Sequence, residues 1–196
     1  MEEEIDVQKT IFVFTGPDGS GRKTIADMTG ATLELTKVLS YTTRARRAGE
    51  QDGQDYHFIA ADSFLESERR GEFVESVHID GQLYGIKHAD ILRLWEEHGF
   101  VYVILNPDGA RILKQAFGRS VVRLFVYADR PSVLKRQRDR GDSDELVSAR
   151  MAYYDEAMSA LPECEYAYEN VDLAHTVFAI SNTIEPYMNR QLLQLD

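Results

Sequence analysis

Thr10-Ile11-Phe12-Val13-Phe14-Thr15-Gly16-Pro17-Asp18-Gly19-Ser20-Gly21-Arg22-Lys23-Thr24 is the stretch that decides the fold. Its first six residues are all β-branched or aromatic and show no polar alternation, which predicts a strand buried on both faces. The glycines at 16, 19 and 21 then impose a turn, and a helix is expected from Arg22 to about Thr29. A strand, a glycine-rich turn and a helix start form the context of a phosphate-binding loop: backbone N–H groups converge there at the positive end of the helix. A standard loop of this kind places Lys directly after the last glycine and Ser or Thr next. Here those places hold Arg22 and Lys23, and Thr24 comes one residue late.

One helical step turns a side chain by about 100°, so Lys23 and Thr24 do not replace the residues one place earlier. Arg22 brings a planar fork rather than a compact ammonium. Lys23 removes the usual hydroxyl ligand of magnesium and repels the ion. On the phosphate-binding reading, Gly16, Asp18, Gly19, Ser20, Gly21, Arg22, Lys23 and Thr24 cradle the anion, with Thr24 an alternative metal oxygen. The same residues also fit a tight strand-to-helix turn that binds nothing.

Outward from this stretch the chain alternates strands and helices. Strands are expected at Val38–Ser40, Tyr56–Ile59, Glu72–Ile79, Phe100–Leu105 and Val121–Tyr127. Helices are expected at Asp62–Arg70 (with Phe64 and Leu65 facing the core), His88–His98, Ala110–Ala116, Ser132–Arg140, Asp144–Ala160 and Leu173–Leu195, the last interrupted near Pro186. A turn is expected at Asp80-Gly81, and Gly99 sits where a helix C-cap is favoured. This rhythm predicts an α/β fold with a mostly parallel sheet flanked by helices. The stretch from Ser40 to Ile86 departs from it and reads as a small β-rich insertion.

The 196 residues fit one domain, with 43% hydrophobic residues to fill its core. Twenty-two Lys plus Arg against thirty-three Asp plus Glu give a net charge of −11, which argues against nonspecific nucleic-acid binding. Met1-Glu2-Glu3-Glu4 does not resemble a secretory signal, and no apolar run approaches a membrane span, so no membrane partner is expected. The lone Cys164 fits a reducing compartment, and a cytoplasmic location is expected. The five histidines show no metal-ligand spacing.

Ser40-Tyr41-Thr42-Thr43-Arg44 is followed by Arg47, Gly49-Glu50, Asp52-Gly53 and Asp55-Tyr56-His57-Phe58. Two arginines three residues apart, with hydroxyls and a tyrosine nearby, suit a phosphate clamp. They equally suit a solvated loop whose arginines pair with Glu50, Asp52 and Asp55. Glu75 and Tyr84 add a carboxylate and a phenol.

This constellation closely resembles the guanylate kinase family, whose acceptor segment is similar to Ser-x-Thr-Thr-Arg-x-x-Arg-x-Gly-Glu-x-x-Gly-x-x-Tyr-x-Phe. The resemblance runs from about Thr10 to Ile184 and implies a P-loop nucleoside monophosphate kinase-like fold. It implies one domain spanning 1–196: a core at 10–39 and 87–195, an acceptor-binding insertion at 40–86 and a lid at about 136–150. By resemblance, Arg44, Arg47, Tyr56 and Tyr84 hold the phosphate of GMP, Ser40 approaches the base, and Glu75 accepts from guanine N1–H and its amine. Asn170 lies near the adenine of ATP. Arg136, Arg138, Arg140 and Arg150 resemble the phosphate-reaching arginines of the lid, with Arg22, Arg138 and Arg150 carrying catalysis. They also read as a charged helix laced by Asp139, Asp142, Asp144 and Glu145.

The chain departs from the family at identifiable places. Arg46 and Ala48 stand where proline is usual, which implies a less preorganised loop. Ile86 replaces a hydroxyl beside guanine. The family pattern Leu-Asp-Ile-Asp-x-Gln-Gly becomes Val103-Ile104-Leu105-Asn106-Pro107-Asp108-Gly109, which loses both acids, one to Ile104 and one to Asn106, and leaves Asp108 as a displaced metal-side carboxylate or a turn residue. Two functions therefore stand side by side. One is ATP-dependent phosphoryl transfer to GMP giving GDP and ADP, with ATP and Mg2+. The other is a catalytically degenerate domain binding GMP, another nucleotide or a phosphorylated protein partner.

Overall fold

A computed structural model describes residues 9–79 and 81–192. Its centre is β1 (Thr10–Thr15), every residue of which is buried, as its unbroken apolar run requires. It pairs in parallel with β7 (Phe100–Ile104) on one side and β8 (Val121–Tyr127) on the other. The outer strands β2 (Thr36–Lys37) and β9 (Tyr166–Glu169) complete a parallel five-stranded sheet in the order β2-β7-β1-β8-β9.

Two apolar layers sandwich this sheet. On one face Phe12, Phe14, Leu124 and Val126 meet α1 (Arg22–Thr32) and α8 (Leu173–Leu192) through Ile25, Ile180 and Ile184. On the other, Ile11, Val13, Val101 and Val103 meet α3 (His88–His98) and α4 (Pro107–Phe117) through Ile91 and Leu113. Burying each such side chain contributes about 1.5–3 kcal/mol.

The smaller sheet has the order β4-β3-β6-β5, from β3 (Tyr41–Thr42), β4 (His57–Phe58), β5 (Phe73–Ile79) and β6 (Gln82–Lys87). It is mixed: β3 and β4 are parallel, whereas β6 runs antiparallel to β3 and to β5. Helix α2 (Ala61–Arg69) buries Phe64, stacked on Phe73 with ring centroids 4.3 Å apart. Between β8 and β9 lie α5 (Arg130–Asp139), α6 (Asp144–Ala152) and α7 (Tyr154–Ser159).

Several expectations change. The strand expected at Val38–Ser40 forms two residues earlier as β2, and Val38 is buried beyond its end, donating to the Tyr102 carbonyl at 2.8 Å. Leu65 is exposed because the core side of α2 holds Phe64 and Ser67 instead. The helix expected over Asp144–Ala160 breaks at Tyr153, and Tyr154 then packs beneath Arg130 and donates to the Ala128 carbonyl at 2.7 Å. Helix α8 runs through Pro186 without interruption. A proline costs an inner helix about 3 kcal/mol, and burial of Ile184 on one side and Tyr187 on the other offsets it. Strand β9 was not expected, since its Tyr-Ala-Tyr-Glu run is short and mostly exposed at an edge. Asp80 of the expected turn and residues 193–195 of the expected final helix lie outside the described residues.

Candidate functional site

Three segments converge on one cleft: the β1–α1 loop, the loop 43–56 of the small sheet, and the segment 140–150. In the first, Gly16 and Gly21 take φ values of 134° and 87°. A Cβ at Gly16 would lie 2.0 Å from the Val126 carbonyl oxygen, and one at Gly21 would lie 2.5 Å from Asn170 Nδ2. Only glycine fits either place. Helix α1 starts without a side-chain cap and without an acid in its first turn, so its N–H groups keep their positive potential.

The side chains around this loop are already engaged. The Arg22 guanidinium turns back and donates to the Gly16 carbonyl. Burial pushes its pKa down against the pull of Asp18 and Tyr56. Lys23 points out of the loop to Asp27 at 3.1 Å and Asp55 at 2.9 Å, and Thr24 is exposed. Arg136 donates to the carbonyls of Ser20 and Asn170, each at 3.0 Å, while the buried Asn170 amide donates to Ser20 at 2.7 Å. Both residues thus brace the loop.

Over this loop sit Arg140 and Arg150. Asp18 Oδ2 lies 3.2 Å from Arg140 Nη2 and 3.3 Å from Arg150 Nη1. Burial alone would raise the Asp18 carboxyl, but Arg22, Arg150 and Arg140 pull it below its ordinary value. Asp142 Oδ2 accepts from Arg150 Nη1 at 2.7 Å and from Arg140 Nε at 3.1 Å. Hydrogen bonding from Arg140 lowers its pKa most, against burial, and the fields of Arg140, Arg150 and Arg47 add to the lowering. Arg138 does not join this group. It stands two residues, about 200°, from both Arg136 and Arg140 on α5, and it lines an open groove with Arg130, Leu134, Val147 and Met151.

On the acceptor side, Arg44 Nε donates to the Tyr84 hydroxyl at 3.2 Å and its guanidinium lies 5.5 Å from the Tyr56 ring centroid. Its fork pairs with Glu50 at 2.8 and 3.0 Å. Burial opposes the Arg44 charge, yet Glu50 and Tyr84 raise its pKa. Glu50 also accepts from the Arg47 amide at 2.8 Å, so hydrogen bonds order this loop without the usual prolines. The Arg47 side chain is exposed, within the fields of Glu50 and Asp142. Asp52 and Asp55 serve the Phe58 amide and Lys23 instead of arginines. Arg44, Tyr56 and Tyr84 are thereby brought together. Ser40 lies half-buried at the entry to β3, where its carbonyl accepts from His57.

Glu75 is 2% exposed on β5, and neither carboxylate oxygen has a hydrogen-bond partner. Burial raises its pKa to about 8. Opposite it in the sheet register is the buried Ile86, and Oε1 would lie 2.6 Å from a Cβ at Gly109. A buried acceptor pair left unsatisfied costs about 1–3 kcal/mol, which suits a group that awaits donors.

Of the two readings of Asp108, the structure has the residue in the first turn of α4. Asp108 is exposed and pairs with Arg111 at 2.7 Å, and Asn106 caps α4 by accepting from the Gly109 amide at 2.9 Å. Pro107 at the first position of α4 fixes that geometry. Among the described residues no group of three or more His, Cys, Asp or Glu side chains could hold a metal ion. With Lys23 in ion pairs and Thr24 exposed, the side chains present do not fit a protein-held magnesium ion.

Sequence reasoning missed the bracing role of Gln137, which is buried with its amide 3.4 Å from the Asp18 carbonyl. It also read Asp142 only as a surface partner. The spacing Arg140-x-Asp142 beneath Arg150 was the available signal. Among the described residues no helix is long and apolar enough to cross a membrane.

The guanylate kinase family model matches residues 8–187. Guanylate kinase of Desulfotalea psychrophila is 32% identical over 177 residues, covering 89% of this chain and 87% of that protein. Guanylate kinase of Paramagnetospirillum magneticum is 32% identical over 176 residues, covering 87% and 81%. The crystal structure of guanylate kinase from Anaplasma phagocytophilum shares the fold at a TM-score of 0.73 and 24% identity, covering 90% of this chain and 85% of that one.

Proposed function

The chain belongs to the guanylate kinase family, and from that premise we propose that it binds GMP in the acceptor cleft and transfers a phosphoryl group to it from ATP. The observation that carries this reading is one cleft wall holding Arg44 against Tyr56 and Tyr84 together with the buried, unpartnered Glu75. Arg44 exchanges its bonds to Glu50 for the GMP phosphate, with the two phenols as further donors. Glu75 accepts in parallel from guanine N1–H and the exocyclic amine, a donor pair that adenine lacks. A GMP phosphate oxygen attacks the γ-phosphorus of ATP, its bond to the β-phosphate oxygen breaks, and GDP and ADP leave. No protein nucleophile is needed, since positioning and charge stabilisation carry such transfers. Arg140 and Arg150, each within 3.3 Å of Asp18 in the donor loop, would supply charge to the transferring group on this reading.

A second reading, nucleotide binding without turnover, is favoured by the donor loop. Arg22 is bonded to Gly16, Lys23 is spent on Asp27 and Asp55, and Asp108 is turned to Arg111. ADP formation by the purified protein, measured with ATP, magnesium and each nucleoside monophosphate in turn, separates the two. GMP-dependent turnover above the rates with AMP, CMP and UMP supports transfer. Saturable GMP binding without turnover leaves the binding reading, no binding of GMP refutes GMP transfer, and no binding of any of the nucleotides refutes both.

A further inference from the structure

We propose that Asp18 is a specificity-determining residue of the donor loop, its carboxylate holding Arg140 and Arg150 where a polyphosphate would otherwise hold them. The inference deepens the reading above and rests on it for the identity of the donor.

An acid in an anion-binding turn opposes the potential that the turn supplies. Helix α1 presents uncapped N–H groups to the loop, yet Asp18 brings a negative charge to the same place. That charge is not solvated at random. Its Oδ2 lies 3.2 Å from Arg140 and 3.3 Å from Arg150, across 122 and 132 residues of chain. The backbone carrying it is pinned by the Gln137 amide at 3.4 Å. Asp142 closes the same pair from the lid side at 2.7 Å from Arg150. Arg22, Arg140 and Arg150 thus act on Asp18, and Arg140, Arg150 and Arg47 act on Asp142. Lys23 and Asp55, 2.9 Å apart, add an ion pair between the donor loop and the acceptor loop.

The consequence is selection by charge. A single phosphate offers no more to the two arginines than the carboxylates already do, and it meets repulsion from Asp18. A triphosphate supplies enough oxygens to engage Arg140, Arg150 and the loop amides together, and it displaces both carboxylates at once. The donor loop is thereby closed to monophosphates, including the acceptor nucleotide itself.

Titration calorimetry with sodium tripolyphosphate and with inorganic phosphate, in chelator and without nucleotide, tests this on wild type and Asp18→Asn. The expected result is about tenfold tighter tripolyphosphate binding by D18N, measurable inorganic phosphate binding in D18N alone, and a gain that shrinks as salt screens the pairs. Trypsin cleavage after Arg140 gives a readout free of ligand: it should be several-fold faster in D18N, and in wild type it should rise with salt. Unchanged anion affinity in D18N overturns the proposal, as does salt-independent lid cleavage in the wild-type protein, which keeps the test valid if the variant folds poorly. GMP titrated into wild type reads the acceptor site separately. Its failure to bind, alongside a tripolyphosphate gain in D18N, removes the acceptor reading and leaves the role of Asp18.

Discussion

If Glu75 receives two donors from guanine, GMP binding must be linked to a proton. Buried without a partner, its carboxyl has a pKa of about 8, so at pH 7 about nine-tenths of the free protein carries it neutral. A neutral carboxyl presents an O–H where guanine presents N–H, so the bound form is the ionised one. Binding at pH 7 should then release about 0.9 proton per GMP, and affinity should rise about tenfold between pH 7 and pH 9 before levelling. That window lies above the second ionisation of a phosphate ester near about 6, so the phosphate does not titrate through it, and only the guanine N1–H begins to ionise at its upper end. Calorimetry in buffers of different ionisation enthalpy counts the protons directly, and Glu75→Gln should abolish the release. The same group has a stability signature of definite sign. Its folded pKa lies above the ordinary 4.5, so the stability it contributes is fully present below pH 4.5 and is lost as pH rises through about 8. The loss runs at about 1.4 kcal/mol per pH unit in that window, read as the difference between wild type and E75Q in urea unfolding. Proton release near zero at pH 7, with a flat GMP affinity from pH 7 to 9, refutes this account of the site.

Further measurements reach the neighbouring groups. Arg44→Lys keeps the charge but loses the fork that spans Tyr84 and Glu50, and GMP affinity measured by calorimetry should fall about tenfold or more. Gly109→Ala places a methyl 2.6 Å from Glu75 Oε1 without a backbone penalty, so it should weaken GMP binding while the urea midpoint moves little. Asn106→Ala removes the cap of α4 and should cost about 1 kcal/mol in urea unfolding at unchanged denaturant slope.

What the sequence made legible follows from the range of the forces involved. Strand β1 was readable to the residue because an all-apolar, β-branched run has one stable fate, and Gly16 and Gly21 announced a turn that no other residue could make. The acceptor loop was readable because its partners lie close in the chain: Arg44 meets Glu50 six residues on. The donor side was not, because its decisive contacts join distant residues. Whether Arg136 reaches a phosphate or braces Ser20 depends on how α5 is rotated over the loop, and that is set by burial of Val133 and Gln137 on the same face. The same rotation sends Arg138 to the opposite side. Strand β9 escaped notice because an exposed edge strand carries little hydrophobic signal.

The cleft belongs to a protein of net charge −11, and its cations are neutralised in place: Arg44 by Glu50, Arg140 and Arg150 by Asp18 and Asp142, Lys23 by Asp27 and Asp55. Each arginine is therefore available only to a ligand that outcompetes a carboxylate already at hydrogen-bond distance. For an isolated anion the exchange is close to balanced, since one charge-assisted bond replaces another. The balance tips when a ligand brings a second recognition element that the resident carboxylate lacks. On the proposed reading, that element on the acceptor side would be the guanine edge meeting Glu75, whose two oxygens have no hydrogen-bond partner in the structure. On the donor side it would be a chain of linked phosphates long enough to reach the loop amides as well as Arg140 and Arg150. Selectivity in this cleft comes from internal competition, so neutralising a resident carboxylate should broaden the range of anions bound before it strengthens binding of the correct one.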